Sequence, residues 1–515
     1  MSFYYLYIDM GNNSVKFFLL LSFIEGLVVM GTELLGAKML APFFGSSLYV
    51  WSSVMAITLG GLAFGYFFGG KISLREKQEL NLYKILLIGS LFTMLMPFTS
   101  KVALNIIGFY SLLPAVFCST FIVLFPPVFL MGMVSPIIIK IISKNTNESG
   151  NSAGTVYAIS TFGGIISTLA FGFYVIPVYG LTMPAIISGA TLGILPLIML
   201  IKRKRYSDTL PFVIGIIISL YQLIFDFNQP REGVDLIYQS EGILGQISVY
   251  DYSSNNFNKA GNNSEKVRWL YVNGISQTKE NRSITLDENS EKYFTYVPKL
   301  TDYISSLNLK NKSVLLLGLG GGSLAKSLFE NGYNVEVCEL DKRINYVAKT
   351  YFDLPETINV TVDDARHFIK LSKNKYDVII FDTFRGEETP SHIITKESLV
   401  EVKKILNKDG HVLINSYNYI EGKKGVGLQS IYKTLIDANL STEVWPTSID
   451  VNNRNLLFIS SLNKVEKNEE FLDMSKIDIS KAQVLTDEYP AFEMLNGLAG
   501  LDWRISAINN NQTTN

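Results

Sequence analysis

The residues best suited to chemistry lie between positions 313 and 382. An apolar run, Ser313–Leu317, ends in the loop Gly318-Leu-Gly320-Gly321-Gly322. Glycines in such a place let backbone approach a ligand closely, and a helix that follows aims its first amides at the bound group. The next apolar run ends in Glu339, about 20 residues beyond the loop, where a carboxylate suits the two hydroxyls of a ribose. Asp341 shares that neighbourhood but reads as the cap of the helix after it. Asp363-Asp364-Ala365 follows a third strand-like run, in position to hydrogen-bond an adenine amine or to cap a helix. The run YDVIIFD ends in Asp382, a carboxylate able to hold a cationic amine and take its proton.

These groups need a scaffold that brings strand ends to one crevice. The spacing predicts strands at 313–317, 334–339, 358–362, 377–381 and 411–415, with helices at 323–331, 342–351, 365–371, 395–406 and 425–438 between them. Two late strands, near 442–446 and 455–461, read as an antiparallel edge. Strands alternating with helices give a parallel, doubly wound sheet, with ligands at the carboxyl ends of its strands. Ahead of it, GILGQISVYDY and VRWLYVNGISQT alternate as β-strands do, with a hairpin turn signal at Asn273-Gly274.

The first 230 residues are of another kind: charges are sparse and apolar runs are long. Against the ~20 apolar residues a span requires, segments 17–39, 48–70, 82–104, 112–139, 154–176, 181–201 and, more weakly, 210–227 qualify. Lys71, Arg75, Lys77, Lys84, Lys140, Lys144 and Lys202 to Arg205 fall in connections that the positive-inside rule puts in the cytoplasm. Six spans would leave the rest of the chain inside; a seventh would put it outside. The first apolar segment reads as retained rather than cleaved. Gly61, Gly65 and Gly69 share one helix face, as in close helix packing. Pro126, Pro127 and Pro136 predict a kink in the fourth span. Glu25 and Glu33 lie inside the first, where carboxylates are costly and mark functional sites by default.

The chain therefore reads as an α-helical multi-spanning membrane domain (1–230, six or seven helices), a small antiparallel β-domain (231–305), an α/β Rossmann-like doubly wound sheet of the class I methyltransferase type (306–505) and a disordered tail (506–515). A net charge of −1 gives no argument for nucleic acid. The cysteines Cys118 and Cys338 and the histidines His367, His392 and His411 make no metal-ligand spacing, so no metal is expected.

The combination GLGGGS, VEVCELD, DDARHFI and YDVIIFDTF resembles the spermidine synthases, the polyamine aminopropyltransferases. GQISVYD with LYVNGISQT resembles that family's N-terminal β-domain, and LTDEYPAFEML its C-terminal element. APFFGSSLYVW, FLMGMVSP and GTVYAISTFGG resemble the multi-spanning module fused to such domains in some bacteria. The resemblance implies aminopropyl transfer from decarboxylated S-adenosylmethionine to putrescine or a related amine, with release of methylthioadenosine. It implies that Gly318, Gly320, Gly321, Gly322, Glu339, Asp364, Ala365 and Gln246 hold the donor, and that Gln277, Arg385, Tyr489 and Glu493 face the acceptor. Asp382 would be the proton acceptor. It further implies a bacterial inner-membrane protein in contact with the bilayer, its soluble part cytoplasmic, and a homodimer.

Three departures keep other readings open. Ser323 stands where the family has Asp, and Asp382-Thr-Phe-Arg385 replaces an Asp-Ser-Ser-Asp pattern. The Tyr-His-Glu element has no clean counterpart near Glu291-Lys292-Tyr293. The second reading is methyl transfer from intact S-adenosylmethionine, whose carboxylate Ser323 would tolerate and Arg385 would pair. The third is a membrane transporter or sensor with a ligand-binding soluble half.

Overall fold

The computed structural model describes residues 12–44, 48–107, 112–143, 148–224, 233–242, 244–254, 265–282, 292–307, 309–383, 390–417, 419–451, 454–489 and 491–513. The chain divides into two units, one of residues 1–229 with 240–246, the other of residues 230–239 with 247–515.

Helices make the first unit: α1 (Asn12–Phe44), α2 (Leu48–Ser73), α3 (Gln78–Ile107), α4 (Leu112–Gly132), α5 (Val134–Ile142), α6 (Ser149–Ala170), α7 (Ile176–Tyr179), α8 (Thr182–Lys202) and α9 (Leu210–Ile224). Seven segments are long and apolar enough to cross a membrane, the last of them Tyr206–Ile224. The expected kink is present in the fourth span. Pro126 and Pro127 sit inside continuous α4, and the chain breaks at Met133, between α4 and α5. Pro136 explains the position, because it supplies no amide to the carbonyl of Gly132, four residues back. The small-residue face of α2 packs as read. A Cβ on Gly65 would stand 2.5 Å from the Phe129 carbonyl oxygen, and one on Gly69 2.6 Å from that of Met133.

The second unit holds two sheets. Strands β1 (Val234–Ser240), β2 (Ile247–Ser254), β3 (Glu265–Val272) and β4 (Ile275–Asn281) form an antiparallel sheet in chain order. Its β3–β4 turn is Asn273-Gly274, with φ of +52° and +75°, the left-handed pair that a tight hairpin requires. After α10 (Tyr296–Ser306), the chain alternates: β5 (Ser313–Leu317), α11 (Ser323–Glu330), β6 (Asn334–Glu339), α12 (Lys342–Tyr351), β7 (Asn359–Val362), α13 (Ala365–Leu371), β8 (Tyr376–Phe381), α14 (Lys396–Ile405), β9 (Leu406–Tyr417) and α15 (Val426–Asp437). Strands β10 (Ser441–Pro446) and β11 (Asn455–Ser461) and helix α16 (Phe492–Thr513) complete it.

The large sheet has the order β10-β11-β9-β8-β5-β6-β7, with β11 antiparallel to both its neighbours and the other five strands parallel. The central strands are apolar on both faces, as a sheet covered on both sides requires. Val314 and Leu316 join one core, Leu315 and Leu317 the other, and every residue of β8 is buried. Residues 506–513, expected as a disordered tail, instead continue α16. Extending a formed helix needs no new nucleus, so even an Asn-rich stretch follows.

Candidate active site

The registers of the parallel strands align their carboxyl ends. Leu317 of β5 stands beside Cys338 of β6 and Phe381 of β8, and Glu339 beside Val362 of β7. Gly318, Glu339, Asp363 and Asp382 therefore leave one edge of the sheet together. The glycine loop could not be built from other residues. Gly318, Gly320 and Gly322 have φ of +90°, +56° and +82°, and a Cβ on Gly318 would stand 2.2 Å from the Asp382 carbonyl oxygen. Gly322 is the N-cap of α11.

Asp382 is the best-supported carboxylate. Asn415 of β9 donates from Nδ2 to its Oδ1 at 2.9 Å, and the Tyr296 hydroxyl, from the first residue of α10, donates to Oδ2 at 3.0 Å. Asn415 is held in turn by Asn455 of β11, whose Nδ2 donates to its Oδ1 at 2.7 Å. Burial raises the Asp382 carboxyl above its ordinary value, while the Asn415 and Tyr296 donors pull it back. Burial, with Asp382 beside it, pushes the Tyr296 hydroxyl well up, so it stays a donor. The result is a fixed, part-buried carboxylate with an elevated proton affinity, at the carboxyl end of β8.

Glu339 accepts from the amide of Leu319 at 2.9 Å on one oxygen and of Asp341 at 2.8 Å on the other. Burial pushes its carboxyl up to about 7 against those amides. It thus braces the glycine loop while presenting its remaining lone pairs at the strand end. Asp341 caps α12, accepting from the Arg343 amide at 2.9 Å, as its place in the sequence suggests. Asp364 caps α13, accepting from the amides of Arg366 at 3.0 Å and His367 at 3.1 Å, and meets His392 Nε2 at 3.0 Å. Asp363 meets His367 Nδ1 at 2.7 Å. Of the two readings open from sequence, the cap is formed by Asp364, and Ala365 opens the helix behind it.

Two supports lie outside the glycine motif. Thr278 of β4 accepts from the Gly321 amide at 2.7 Å, which ties the small sheet to the loop. Arg268 of β3 is paired with buried Asp251 of β2 through Nε at 2.6 Å, and donates to the Tyr351 carbonyl at 2.7 Å. At the far side, buried Arg366 pairs with Glu401 at 3.0 Å and with Asp487, which also accepts from the Thr395 hydroxyl at 2.7 Å. That network pins the LTDE element against α13 and α14.

The other expected residues lie as follows. Gln277 follows Ser276 on β4, and its carbonyl oxygen is 3.9 Å from where a Cβ on Gly320 would stand. Gln246 precedes β2 in the segment grouped with the helical unit. Arg385 lies outside the described residues. Tyr489 is exposed in a turn closed by its amide to the Thr486 carbonyl at 3.1 Å, and Glu493 is in the first turn of α16. Sequence reasoning missed Tyr296, Asn415 and Thr278. For Tyr296 a signal existed: it stands three residues beyond Tyr293, where a tyrosine-bearing element was sought.

Residues 291–436 match the family model described as the spermine/spermidine synthase domain. The match contains the glycine loop, Glu339, Asp364, Asp382, Tyr296 and Asn415. Over 133 residues the chain is 35% identical to the polyamine aminopropyltransferase of Vibrio vulnificus (strain CMCP6), covering 24% of this chain and 44% of that protein. Over 140 residues it is 30% identical to the N-terminal histidine N-methyltransferase of Emericella nidulans, covering 26% of this chain and 24% of that protein. The chain thus spans less than half the length of either relative. The crystal structure of spermidine synthase from Thermotoga maritima has a TM-score of 0.36 to it at 17% identity, covering 54% of this chain and 99% of that one. In this chain the matched region is preceded by the helices α1 to α9.

Proposed function

We propose that the chain is a membrane-anchored aminopropyltransferase. It would move an aminopropyl group from decarboxylated S-adenosylmethionine to putrescine or a related amine, and release methylthioadenosine. The reading rests above all on Asp382, a part-buried carboxylate at a strand end, held by Tyr296 and Asn415 beside a glycine loop. The attacking amine must lose a proton to expose its lone pair. A carboxylate of raised proton affinity narrows the gap to an ammonium, so it can take that proton. The Asn415 and Tyr296 donors fix its direction, so that positioning contributes as much as basicity. The donor's sulfonium is already a good leaving group. Gly318 to Gly322 leave room for its nucleoside backbone against main chain, with Glu339 toward the ribose and Asp364 and Ala365 toward the base.

The membrane half supports anchoring through seven apolar helices. We place the synthase domain on the cytoplasmic side of a bacterial inner membrane, where the donor is made. Tyr206–Ile224, at 19 residues, is the shortest of the seven candidate spans among the described residues, about 28 Å at 1.5 Å per residue against a ~30 Å hydrocarbon core. The cytoplasmic placement requires that Tyr206–Ile224, although long and apolar enough to cross, lie in the interface and leave six crossings. Accessibility of a C-terminal tag in intact cells tests this, and external labelling would overturn it.

Methyl transfer is the second reading. Ser323 replaces an acidic residue at the first position of α11, and one curated relative is named a methyltransferase. Both readings are tested on the detergent-purified chain with putrescine and either decarboxylated or intact S-adenosylmethionine, products being identified by mass spectrometry. Methylthioadenosine and spermidine, lost in Asp382→Asn, are expected. Tight binding of the intact donor with no turnover of the decarboxylated one would overturn aminopropyl transfer.

A further inference from the structure

The synthase domain gives no work to Glu25, a carboxyl only 3% exposed in the middle of α1. Among the described residues its hydrogen bond is to Ser160 of α6, whose hydroxyl donates to Oε2 at 2.9 Å. The bond belongs to a seam of close contact. A Cβ on Gly26 would stand 1.9 Å from the Ser160 carbonyl oxygen, and one on Gly163 2.3 Å from that of Phe23. One turn before Glu25, Ser22 donates to the Val156 carbonyl at 3.1 Å. Further along, Thr32 and Ser167 are 0% and 1% exposed, and their hydroxyls have no hydrogen-bond partner. Ser167 Oγ is 3.2 Å from where a Cβ on Gly31 would stand, so it faces α1.

Thr58, Ser119 and Ser219 of the helical unit are likewise buried with no hydrogen-bond partner among the described residues, but of the five it is Thr32 and Ser167 that lie on the helices of this seam, α1 and α6. Thr93, Thr120, Thr155, Thr168 and Thr191 each donate to the carbonyl four residues back, at 2.7 to 2.9 Å. That is the usual satisfaction of a hydroxyl in an apolar helix. Thr32 and Ser167 do not make this bond. Along α1, positions 22, 25 and 32 share a face, so polar atoms line the contact from Ser22 to Ser167.

An ionised carboxylate in such surroundings needs a cation. Tyr66 of α2, in edge contact with Tyr157 of α6 at 6.1 Å, is the titratable group within electrostatic reach of Glu25. Neither tyrosine supplies positive charge. Helix α4 has no charged residue. Lys84 is paired with Asp208, and Arg203 with Glu79. Backbones in contact at Gly26 and Gly163 exclude a large cation. We propose that Glu25 is a proton-binding site of the membrane bundle, with the hydroxyls of Ser160, Ser167 and Thr32 as its polar surroundings along the α1–α6 seam. The event is formation or breakage of one carboxyl O–H bond, the proton exchanging with water.

The test is labelling of the full chain in proteoliposomes with dicyclohexylcarbodiimide, an apolar reagent that attacks protonated carboxyls. Modification is read by peptide mass spectrometry between pH 5 and 9. Adduct on Glu25 is expected, falling several-fold as pH rises and absent in Glu25→Gln. Ser160→Ala removes the donor to the charged form, so the half-labelling pH should move up by about one unit. This variant keeps the proposal testable if Glu25→Gln fails to assemble. Three results would overturn it: no adduct on Glu25 at any pH, an extent independent of pH, or suppression by sodium at constant pH. The last would assign the site to a metal cation instead.

Discussion

The Tyr296 hydroxyl donates to one oxygen of Asp382 at 3.0 Å, so the carboxylate is steered by a residue 86 positions earlier in the chain. It also sets how strongly that carboxylate holds a proton, because a donor to the charged form favours ionisation.

Removing this donor has a signed consequence. On the proposed reading Asp382 accepts a proton only when ionised, so activity should fall on the acid side through its pKa. Tyr296→Phe leaves burial unopposed on that oxygen and raises the pKa further. The acid limb of the kcat/KM profile should move to higher pH, by up to about one unit. Activity at alkaline pH should recover to within a few-fold of wild type. An unshifted limb with uniformly lower activity would make Tyr296 a packing residue only.

Gly318→Ala meets two obstacles at once. Its φ of +90° is a region L-residues avoid, and the new Cβ would stand 2.2 Å from the Asp382 carbonyl oxygen. Backbone strain of this kind costs about 1–3 kcal/mol, before any shift of the β8 end. A melting temperature several degrees lower is expected, together with weaker donor binding by calorimetry.

Glu339 predicts a slope of stability with pH. Its carboxyl is raised from 4.5 to about 7, so between those values the folded chain holds a proton that the unfolded chain has released. The contribution is full below about pH 4.5 and is lost as pH rises through 7. Glu339→Gln cannot lose it. Its stability relative to wild type should therefore rise between pH 5 and 7.5, by something on the order of 2 kcal/mol. Chemical denaturation of the detergent-solubilised chain at each pH measures this.

Arg366→Leu strips the partner from Glu401 and Asp487. Breaking a fully buried pair costs about 3–5 kcal/mol. Asp487 is 44% exposed, so roughly half of that is expected, about 2 kcal/mol. Asp487→Asn should cost less, because Arg366 keeps Glu401. Limited proteolysis near 480–490 should accelerate in both.

Much of this was legible before any coordinates. Strand ends are marked by where apolar runs stop, so Gly318, Glu339 and Asp382 could be placed at one edge from alternation alone. Asp341 announced its cap and Asn273-Gly274 its turn. Tyr296 and Asn415 could not be found this way. They reach Asp382 from a helix and from a neighbouring strand, and such contacts leave no local periodicity. Asp364 stayed ambiguous for a physical reason: a helix-capping carboxylate and a ligand-binding one occupy the same position after a strand. Of the three prolines that predicted a kink in the fourth span, Pro136 sets its place at Met133, because a proline disturbs the turn before it, not the residue that carries it.

The hydrogen bond between Thr278 and the Gly321 amide also bears on where this polypeptide can be cut. A fragment beginning at residue 306 keeps all seven strands of the large sheet but discards β4. The loop amide at Gly321 would then lose its acceptor, and Phe352 would lose the neighbouring wall. Such a truncate would fold around an unbraced loop and understate the affinity of the intact polypeptide. The hairpin before it is thus part of the smallest unit in which this pocket has its proper shape.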